Sequence, residues 1–291
     1  MKLSQRLVLI ATVFLLLPSL QTLAESPVTF EIVASFDYPG AIYTYVTGVN
    51  NRGDVSGAYQ VLSGASAGFI RYADGSYSAP IMHPKAFATV LTGINNTGTV
   101  SGFYTTSANG NAHGFLYSNS AFEDISTGPV NGVNDAGNFC GLSGRQGYVS
   151  IDGVITTFNV GGSTYTYAIG INDLNQTAGF TITLADVFGF RRDVDGTTLW
   201  PIRPAEFTDI YLYGIDDHGR MVGEALESDG VLIHGFLFYS SHQFAVFDYP
   251  GSTGFTTFNG LNDRGLICGN YNDNSGNGHA FIVRAKLPSS R

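Results

Sequence analysis

The chain has 291 residues and is rich in glycine and aromatic side chains, with 37 Gly, 21 Phe and 16 Tyr. Charged residues make up only 13%, and the formal net charge is −9. This composition excludes a disordered chain, which has few aromatics, and a helical solenoid, which is built from Ala, Leu, Glu and Lys. Three Lys in the whole chain also exclude a basic nucleic-acid-binding face.

Residues 1–24 have the pattern of a secretory signal peptide. Lys2 and Arg6 precede the apolar run Leu7–Leu17, and Thr22–Ala24 provide a small-residue cleavage site. The run is shorter than the roughly 20 residues that span a bilayer, and no later stretch is long and apolar enough to do so. We therefore expect cleavage after Ala24 and a secreted protein, extracellular or periplasmic. An uncleaved N-terminal anchor is the alternative.

One motif recurs six times: Gly, an aliphatic residue, two Asn or Asp residues, any residue, usually Gly, and a further Gly four positions later. The copies are about 42 residues apart and start at Gly48, Gly93, Gly132, Gly170, Gly214 and Gly260. Alternating apolar residues and Gly-rich breaks predict four short strands per repeat, named a, b, c and d, and no helix after residue 24.

The motif also predicts how strand a turns into strand b. Its first Asn or Asp suits the capping position of a type I turn, and the following Gly suits a left-handed residue in a β-bulge. The predicted left-handed residues are Gly53, Gly98, Gly137, Asn175, Gly219 and Gly265. Asn175 replaces Gly in the fourth copy, and we expect its φ to be positive because Asn tolerates that conformation.

Six units of four strands predict an all-β fold, a six-bladed β-propeller with 24 strands in a single domain over residues 25–291. Residues 29–37 supply an extra strand before the first copy. Its sequence Ser35–Gly40 resembles Val246–Gly251, strand d of the fifth repeat. We therefore expect this strand to pair with Phe281–Arg284 and to complete the sixth blade, leaving no long exposed sheet edge.

The triplets His113–Phe115 and His279–Phe281, beside Gly93–Gly98 and Phe36–Gly40, resemble the extracellular repeats of the bacterial HAF family. The likeness covers nearly all of residues 29–284, although the first, third and fourth units lack the His. The resemblance implies a secreted β-propeller-like protein. It implies no activity and no catalytic residues.

Turn chemistry explains the Asn and Asp pairs better than metal binding does, because the pairs lie on six separate turns. Two further segments, Asp193–Gly196 and Asp273–Asn277, lack the spacing and closing Glu of a Ca²⁺ loop and are predicted to be hairpin turns. We expect no metal and no cofactor. His113, His234 and His279 share one repeat position, and we expect structural hydrogen bonds there.

Cys140 and Cys268 occupy the same position in the third and sixth copies. A disulfide is the usual expectation for a secreted protein. However, the third and sixth blades of a six-bladed ring lie opposite each other, beyond the reach of a disulfide. We therefore predict two buried free thiols.

A binding surface is expected on the face formed by the irregular d–a and b–c loops, because variable loops on a rigid scaffold often carry function. The d–a loops hold the predicted ligand-binding residues Tyr43, Tyr45, His83, Lys85, Tyr165, Tyr167, Arg203, Glu206, Asp209 and Tyr211, with Tyr213 beside them. The b–c loops add Arg145, Asp186, Glu224, Glu227 and Asp229. The alternative is that these side chains only pack the crossovers.

The sequence contains no Gly-x-Ser-x-Gly elbow, no His-Glu-x-x-His motif and no phosphate loop. We predict a non-catalytic, monomeric binding or scaffolding module for an extracellular glycan or protein. A polysaccharide hydrolase or lyase with an axial site is one alternative, and a purely structural surface protein is the other. A convergent pair of carboxylates would favour the enzyme.

Overall fold

The computed structural model of the chain describes residues 28–61, 66–227, 230–240 and 243–288. The predicted signal peptide, residues 1–24, lies outside these ranges. Within them all regular structure is β, in 23 strands, which confirms the predicted all-β class. A search of the same residues for an apolar helix of membrane-spanning length finds none.

The strands follow the six repeats in chain order, after an initial strand β1 (Thr29–Phe36). The first three repeats contain β2 (Tyr43–Val49), β3 (Val55–Gln60), β4 (Ser66–Arg71), β5 (Ala88–Ile94), β6 (Val100–Thr105), β7 (His113–Ser118), β8 (Ala121–Ile125), β9 (Val130–Val133), β10 (Phe139–Ser143), β11 (Gln146–Ile151) and β12 (Val154–Phe158). The last three contain β13 (Tyr165–Ile171), β14 (Thr177–Ile182), β15 (Val187–Arg192), β16 (Thr198–Ile202), β17 (Phe207–Ile215), β18 (Met221–Glu227), β19 (Ile233–Ser240), β20 (Gln243–Phe247), β21 (Thr256–Leu261), β22 (Leu266–Asn272) and β23 (Gly278–Lys286).

Each repeat folds as an antiparallel meander in which strand b lies between strands a and c. The third repeat is a separate four-stranded sheet in the order β12-β11-β10-β9. Single parallel bridges, Ser66 with Ala88 and Val187 with Asp209, join the first repeat to the second and the fourth to the fifth. The repeats are therefore similar local units with few backbone hydrogen bonds between their strands.

Strand β1 pairs antiparallel with β23, so the start of the described chain completes the sheet of the last repeat. The register runs from Thr29 opposite Lys286 to Phe36 opposite Ala280. Phe30 packs against Phe247 and Phe258, with ring centroids 5.2 and 5.5 Å away. The predicted pairing of residues 29–37 with 281–284 is confirmed.

The first repeat lacks the predicted strand d, so the structure has 23 strands and not 24. Isolated bridges remain between Arg71 and Tyr77 and between Gly68 and Ile81. The Ser78 hydroxyl accepts the Ile70 N–H at 3.0 Å, where a regular ladder would use a backbone carbonyl. Pro80 has no N–H to donate. These two residues prevent a continuous strand.

The a–b turns have the predicted chemistry. In the first turn, the Asn50 side-chain oxygen accepts the N–H groups of Arg52 and Asp54, both at 3.0 Å. The Gly53 N–H donates to the Asn50 carbonyl, and the φ of Gly53 is 91°. Asn175, in the fourth turn, has a φ of 59°, in agreement with the prediction. Each turn is thus stabilised by residues within four positions of one another.

The second Asn or Asp of each pair links its turn to the next one. Its backbone N–H donates to the side-chain oxygen of the equivalent residue in the following repeat. The donors and acceptors are Asn51 to Asn96, Asn96 to Asp135, Asp135 to Asp173, Asp173 to Asp217, Asp217 to Asp263 and Asp263 to Asn51, at 2.6 to 3.0 Å. The sixth bond returns to the first turn, so the series is cyclic.

Close approach between the a strands requires the first Gly of each motif. A Cβ added to Gly260 would lie 2.8 Å from the Cα of Gly48, in the first repeat. One large side chain per repeat, from strand c, fills the core between the sheets and is fully buried: Phe69, Phe115, Tyr148, Phe190, Phe236 and Phe281. Hydrophobic burial between neighbouring repeats holds the a strands together.

Both cysteines of the chain, Cys140 and Cys268, are buried free thiols. Burial raises the pKa of the Cys268 thiol to about 12. His234 and His279 make structural hydrogen bonds, in agreement with the prediction for these two residues, and the His113 ring lies 5.2 Å from the Tyr104 ring. Nδ1 of His234 lies 2.7 Å from Asp248, and Nδ1 of His279 lies 2.9 Å from Asp37.

Candidate functional site

A central cavity of about 320 Å³ opens where the six a strands approach one another. Each repeat contributes the residue that precedes the first Gly of its motif: Thr47, Thr92, Asn131, Ile169, Tyr213 and Asn259. Tyr45, Val90, Phe103 and Phe180 complete the lining. Most of this surface is apolar, as in most small-molecule sites, and a few polar atoms interrupt it.

Phe180 of the fourth repeat and Tyr213 of the fifth line this cavity, and further aromatic rings pack around Phe180. Tyr167 stacks on Phe180 with ring centroids 4.7 Å apart, and Tyr211 meets the same Phe180 edge-on at 4.9 Å. Tyr165 lies 6.1 Å from Tyr167, and the Arg145 guanidinium lies 5.2 Å from the Tyr165 ring. The structure therefore brings together three of the tyrosines that the sequence identifies as ligand-binding candidates, although none of the three belongs to the cavity lining. They lie in strands β13 and β17, and Tyr43 and Tyr45 lie in β2, so the prediction that these tyrosines lie in d–a loops was wrong.

Glu224 adjoins the cavity through Tyr213, a residue of the lining. It lies in strand β18 opposite Tyr211, and not in the b–c loop that the sequence suggests. Its carboxylate is half-buried and interacts with the Tyr213 hydroxyl. Burial raises the pKa of Glu224, and burial together with the Glu224 charge raises the pKa of Tyr45 and Tyr213. The charge of Glu224 thus contributes to the raised pKa of two tyrosines in the cavity lining, which belong to the first and fifth repeats.

In the sixth repeat, Asn259 belongs to the cavity lining, and Thr257 is buried two positions before it in strand β21. Thr257 has the register position of Tyr45 and Tyr211. The Oγ1 of Thr257 and the Oδ1 of Asn259 are buried and have no hydrogen-bond partner. The Nδ2 of Asn259 donates to the Val46 carbonyl at 2.7 Å, and this contact fixes which side-chain atom is the free oxygen.

The other predicted residues lie away from this cavity. His83 is buried and stacks on Tyr104 with centroids 3.7 Å apart, and its Nε2 contacts Asp124 at 2.9 Å. Lys85 forms an exposed ion pair with the same Asp124 at 2.8 Å. The backbone N–H of His83 donates to Thr89, as that of Tyr38 does to Thr44 in the preceding repeat, so the His83 position is a repeated packing position.

Three further candidates lie between the fourth and fifth repeats. Arg203 donates to Asp186 at 2.7 Å and lies over Phe188. Asp209 accepts the Val187 N–H at 2.8 Å, and Glu206 is exposed in the turn before β17. Tyr43 lines a separate outer cavity with Asp37 and His279. Asp229 lies outside the described residues.

Within the described ranges, one group of three side chains has metal-ligand spacing: Asp216, His218 and Asp263. Asp216 is already engaged, because its Oδ1 accepts the N–H groups of His218 and Arg220 and its Oδ2 pairs with the Arg220 guanidinium. This geometry is turn capping with a charge partner, as the sequence predicts for these positions.

Sequence reasoning missed Phe103, Phe180 and the position of Glu224. These three residues directly follow the last Gly of the second, fourth and fifth motifs. The signal was available in principle, since this position holds Ala58, Phe103, Leu142, Phe180, Glu224 and Asn270 in the six repeats. A position that varies in size and charge between fixed glycines indicates a surface that differs from repeat to repeat.

No family model matches this chain, and no curated protein matches it. Several solved structures are similar to it. A putative TolB from Agrobacterium tumefaciens is 14% identical, with a TM-score of 0.58 over 89% of this chain and 98% of that chain. The β-propeller domain of the Trilobed protease from Pyrococcus furiosus is 8% identical, with a TM-score of 0.52 over 86% and 97%.

A third similar structure is a mutant Aleuria aurantia lectin in complex with Fucα1-6GlcNAc. It is 11% identical, with a TM-score of 0.51 over 84% of this chain and 95% of that chain. At these identities the comparisons concern the fold alone. The chain is therefore similar in fold to β-propeller proteins.

Proposed function

We propose that this chain is a secreted, non-catalytic binding module, a closed six-bladed β-propeller that holds an extracellular glycan in its central cavity. The closed ring is supported by the cyclic hydrogen bonds of the six turns and by the pairing of β1 with β23. The HAF-like repeats and the predicted signal peptide, cleaved after Ala24, support an extracellular or periplasmic location.

The aromatic wall of the cavity carries the glycan proposal. Sugar rings present flat C–H faces that pack on aromatic rings, while their hydroxyls need a few polar partners. Phe180, Tyr45, Phe103 and Tyr213 supply aromatic rings in the lining, and Asn131 and Asn259 supply amides. The glycan complex of the Aleuria aurantia lectin is compatible with this proposal, since it places such a ligand on a similar fold.

Binding is favoured over hydrolysis by the charges at the cavity. Most glycosidases use two carboxylates about 5 to 10 Å apart. Among the described residues that line this cavity none is Asp or Glu, and Glu224 adjoins the lining through Tyr213. The geometry therefore supports a receptor for a glycan and provides no pair for acid–base cleavage.

A glycan array combined with a hydrolysis screen tests the proposal. We expect bound glycans without product release, and Phe180→Ala should weaken binding about tenfold through loss of stacking. Tyr72→Ala, an exposed aromatic outside the cavity, is the matched control and should bind normally. Release of sugar products would support the enzyme instead, and no bound glycan would leave the structural role.

A further inference from the structure

A second cavity, of about 270 Å³, lies at the junction where the last repeat meets the first, and we call it the junction cavity. Its lining includes Asp37 and Tyr43, from the start of the described chain, and Asn277, Gly278 and His279, from the sixth repeat. None of the described residues that line it also lines the central cavity. A ligand bound here would therefore occupy a site of its own.

The backbone at this junction differs from the backbone at three others. There, parallel bridges join a residue of strand c to strand a of the next repeat: Ser66 to Ala88, Val187 to Asp209 and Ile233 to Phe255. Gly278 and Tyr43 have these register positions at the junction cavity, and within the described ranges no bridge joins them. Instead the Tyr43 ring packs over Gly278, where an added Cβ would lie 2.4 Å from the Tyr43 Cε2.

The side chains at the junction cavity are also smaller and more polar than their counterparts in the fifth repeat. Asn277 and Gly278 have the repeat positions of Leu232 and Ile233. The fifth repeat thus has two aliphatic side chains where the sixth has an amide and a hydrogen atom. This difference leaves both space and hydrogen-bonding groups at the junction cavity.

The polar groups of the junction cavity are held in place by one another and remain accessible. Nδ1 of His279 lies 2.9 Å from the Asp37 carboxylate, and its Nε2 lies 3.4 Å from Asp273. The Asn277 amide donates to the same Asp273 at 3.2 Å. The Asp37 side chain is 47% exposed, and a carboxylate can accept about four hydrogen bonds, so it retains acceptor positions for a ligand.

Two apolar side chains complete the environment that a ligand would meet. Tyr43 is 39% exposed and Ile42 is 51% exposed, and both belong to the lining of the junction cavity. A sugar ring has apolar C–H faces that pack on such surfaces and hydroxyls that need a few polar partners. The lining supplies both kinds of contact within one cavity.

The charges favour a neutral ligand. Asp37 disfavours an anion, and its own charge already has His279 as a partner, so a cation is not required. The Asn277 amide can both donate and accept hydrogen bonds, as a hydroxyl does, whereas a cation needs acceptors alone. The volume is below the roughly 300 to 1,000 Å³ of pockets for drug-sized molecules, which suits a single ring.

We propose that the junction cavity is a second carbohydrate site, which binds one neutral sugar unit. Asp37 and Asn277 form hydrogen bonds with its hydroxyls, and Tyr43 packs against its ring. His279 is a positioning residue that holds the Asp37 carboxylate. The inference goes beyond the glycan site of the central cavity and does not depend on it.

Methyl glycosides of glucose, galactose, mannose and fucose, titrated into the isotope-labelled protein by two-dimensional NMR, test the inference. We expect at least one to bind with a Kd on the order of 1 mM and to shift the amide signals of Asn277 and Gly278. Methyl glucuronide differs from methyl glucoside by one carboxylate and should bind at least fivefold more weakly than the glucoside, because Asp37 repels it.

Asp37→Asn tests the carboxylate with little change in shape, and Asn159 follows the equivalent strand of the third repeat. It should weaken sugar binding about fivefold, because a charge-assisted hydrogen bond is roughly twice as strong as a neutral one. Tyr43→Ala should weaken binding about fivefold to tenfold through loss of ring packing.

Asp248→Asn is the matched control. Asp248 has the same repeat position and lies 2.7 Å from Nδ1 of His234, but it does not line the junction cavity. Both Asp variants lose a carboxylate beside a histidine, so their melting temperatures should fall by similar amounts. Only Asp37→Asn should lose sugar affinity, and equal losses in both would overturn the proposed contact.

The outcomes separate this site from the central cavity. Sugar binding that is unaffected by Asp37→Asn and Tyr43→Ala and lost in Phe180→Ala would overturn the inference and leave the central site standing. Binding that survives Phe180→Ala and is lost in the two junction variants would support it, whatever the central cavity binds. If no neutral sugar binds, and a lysine-containing peptide binds until Asp37→Asn removes it, the sugar assignment is overturned in favour of a protein partner.

Discussion

The side-chain amide of Asn262 donates to the backbone carbonyl of Asn50 at 2.7 Å, across 212 positions of sequence. The same contact links earlier neighbours, for example Asn95 to the Asn134 carbonyl at 2.8 Å. The contact between the last turn and the first is therefore chemically the same as one between adjacent turns. A closed ring accounts for this equivalence.

Asn262→Asp tests whether closure contributes to stability. The variant keeps the turn cap, because an Asp oxygen can accept the Arg264 and Leu266 N–H groups. It replaces the donor that faces Asn50 with a buried negative oxygen, and we expect a loss of about 3 kcal/mol in the free energy of unfolding. Denaturant melts measure this loss. Asn95→Asp, at an internal link, should cost a similar amount, whereas a much smaller loss for Asn262→Asp would contradict closure.

His279 makes stability depend on pH, because it bridges β1 and the last repeat through Asp37 and Asp273. Burial of His279 opposes its charged form, but the hydrogen bonds and charges of the two carboxylates outweigh burial and raise its pKa. A raised histidine pKa stabilises the fold fully below the unfolded value near 6.5, and this contribution is lost as the pH rises through the folded value.

We therefore expect wild-type stability to fall as the pH rises above about 6.5, and His279→Gln to remove this slope. Gln is the residue at the equivalent position of the third repeat, Gln146. His113→Gln, at the equivalent position of the second repeat, is the control and should retain the slope, because it leaves His279 in place. Chemical denaturation at a series of pH values gives the slopes, and an unchanged slope in His279→Gln would refute the assignment.

Asp173→Asn should stabilise the protein at neutral pH. Burial and the neighbouring carboxylates Asp135, Asp217 and Asp263 raise the pKa of Asp173, although the Asp135 N–H bond lowers it. A raised carboxyl pKa means that the charged form costs stability, and this cost disappears as the pH falls through the folded value. Asn can accept the same N–H, as Asn96 does from Asn51.

The expected gain for Asp173→Asn is about 0.5 kcal/mol, because solvent screens an exposed charge. Thermal melts should show the gain at pH 7 and lose it in acid or at high salt. Asp195→Asn provides the contrast, since hydrogen bonds from Thr197 lower the pKa of Asp195 and its charge is favourable. A neutral or negative effect of Asp173→Asn at low salt would show that the carboxylates do not repel one another.

Asn175→Gly is expected to destabilise the protein although Gly is the residue in the other five copies. Gly would relieve the positive φ, a gain of at most about 1 kcal/mol. However, the Asn175 side-chain oxygen accepts from Asn134 and Asn138, both at 2.9 Å. Two lost hydrogen bonds cost about 2 kcal/mol, so we expect a net loss of about 1 kcal/mol in denaturant melts.

Asn138→Ala is the matched control for Asn175→Gly, because it removes one of the two partners and keeps the backbone of the fourth turn. It also removes the acceptor of the Asp152 N–H. Combined with Asn175→Gly, it should cost less than the two separate effects together. Strict additivity would mean that the two amides do not interact.

Much of the architecture could be predicted from residues close in sequence. The turn from Asn50 to Gly53 involves four consecutive residues only. The pairing of β1 could be predicted because Ser35–Gly40 resembles Val246–Gly251, the end of the fifth repeat. The missing strand of the first repeat was not predicted, because the effect of Ser78 depends on which backbone group it meets. The position of Glu224 was also missed, because the sequence placed it in the b–c loop. Strand β18 extends from Met221 to Glu227 and therefore includes it.

The amino-acid sequence by itself determined the repeat, its turns and the partner of the first strand. Turn chemistry and alternation act over a few residues, and six copies reinforce each other. Only the tertiary structure decided which side chains meet at the centre. Tyr45, Tyr213 and Asn259 belong to three repeats and come together because the a strands converge, a condition that depends on the packing of all six units at once.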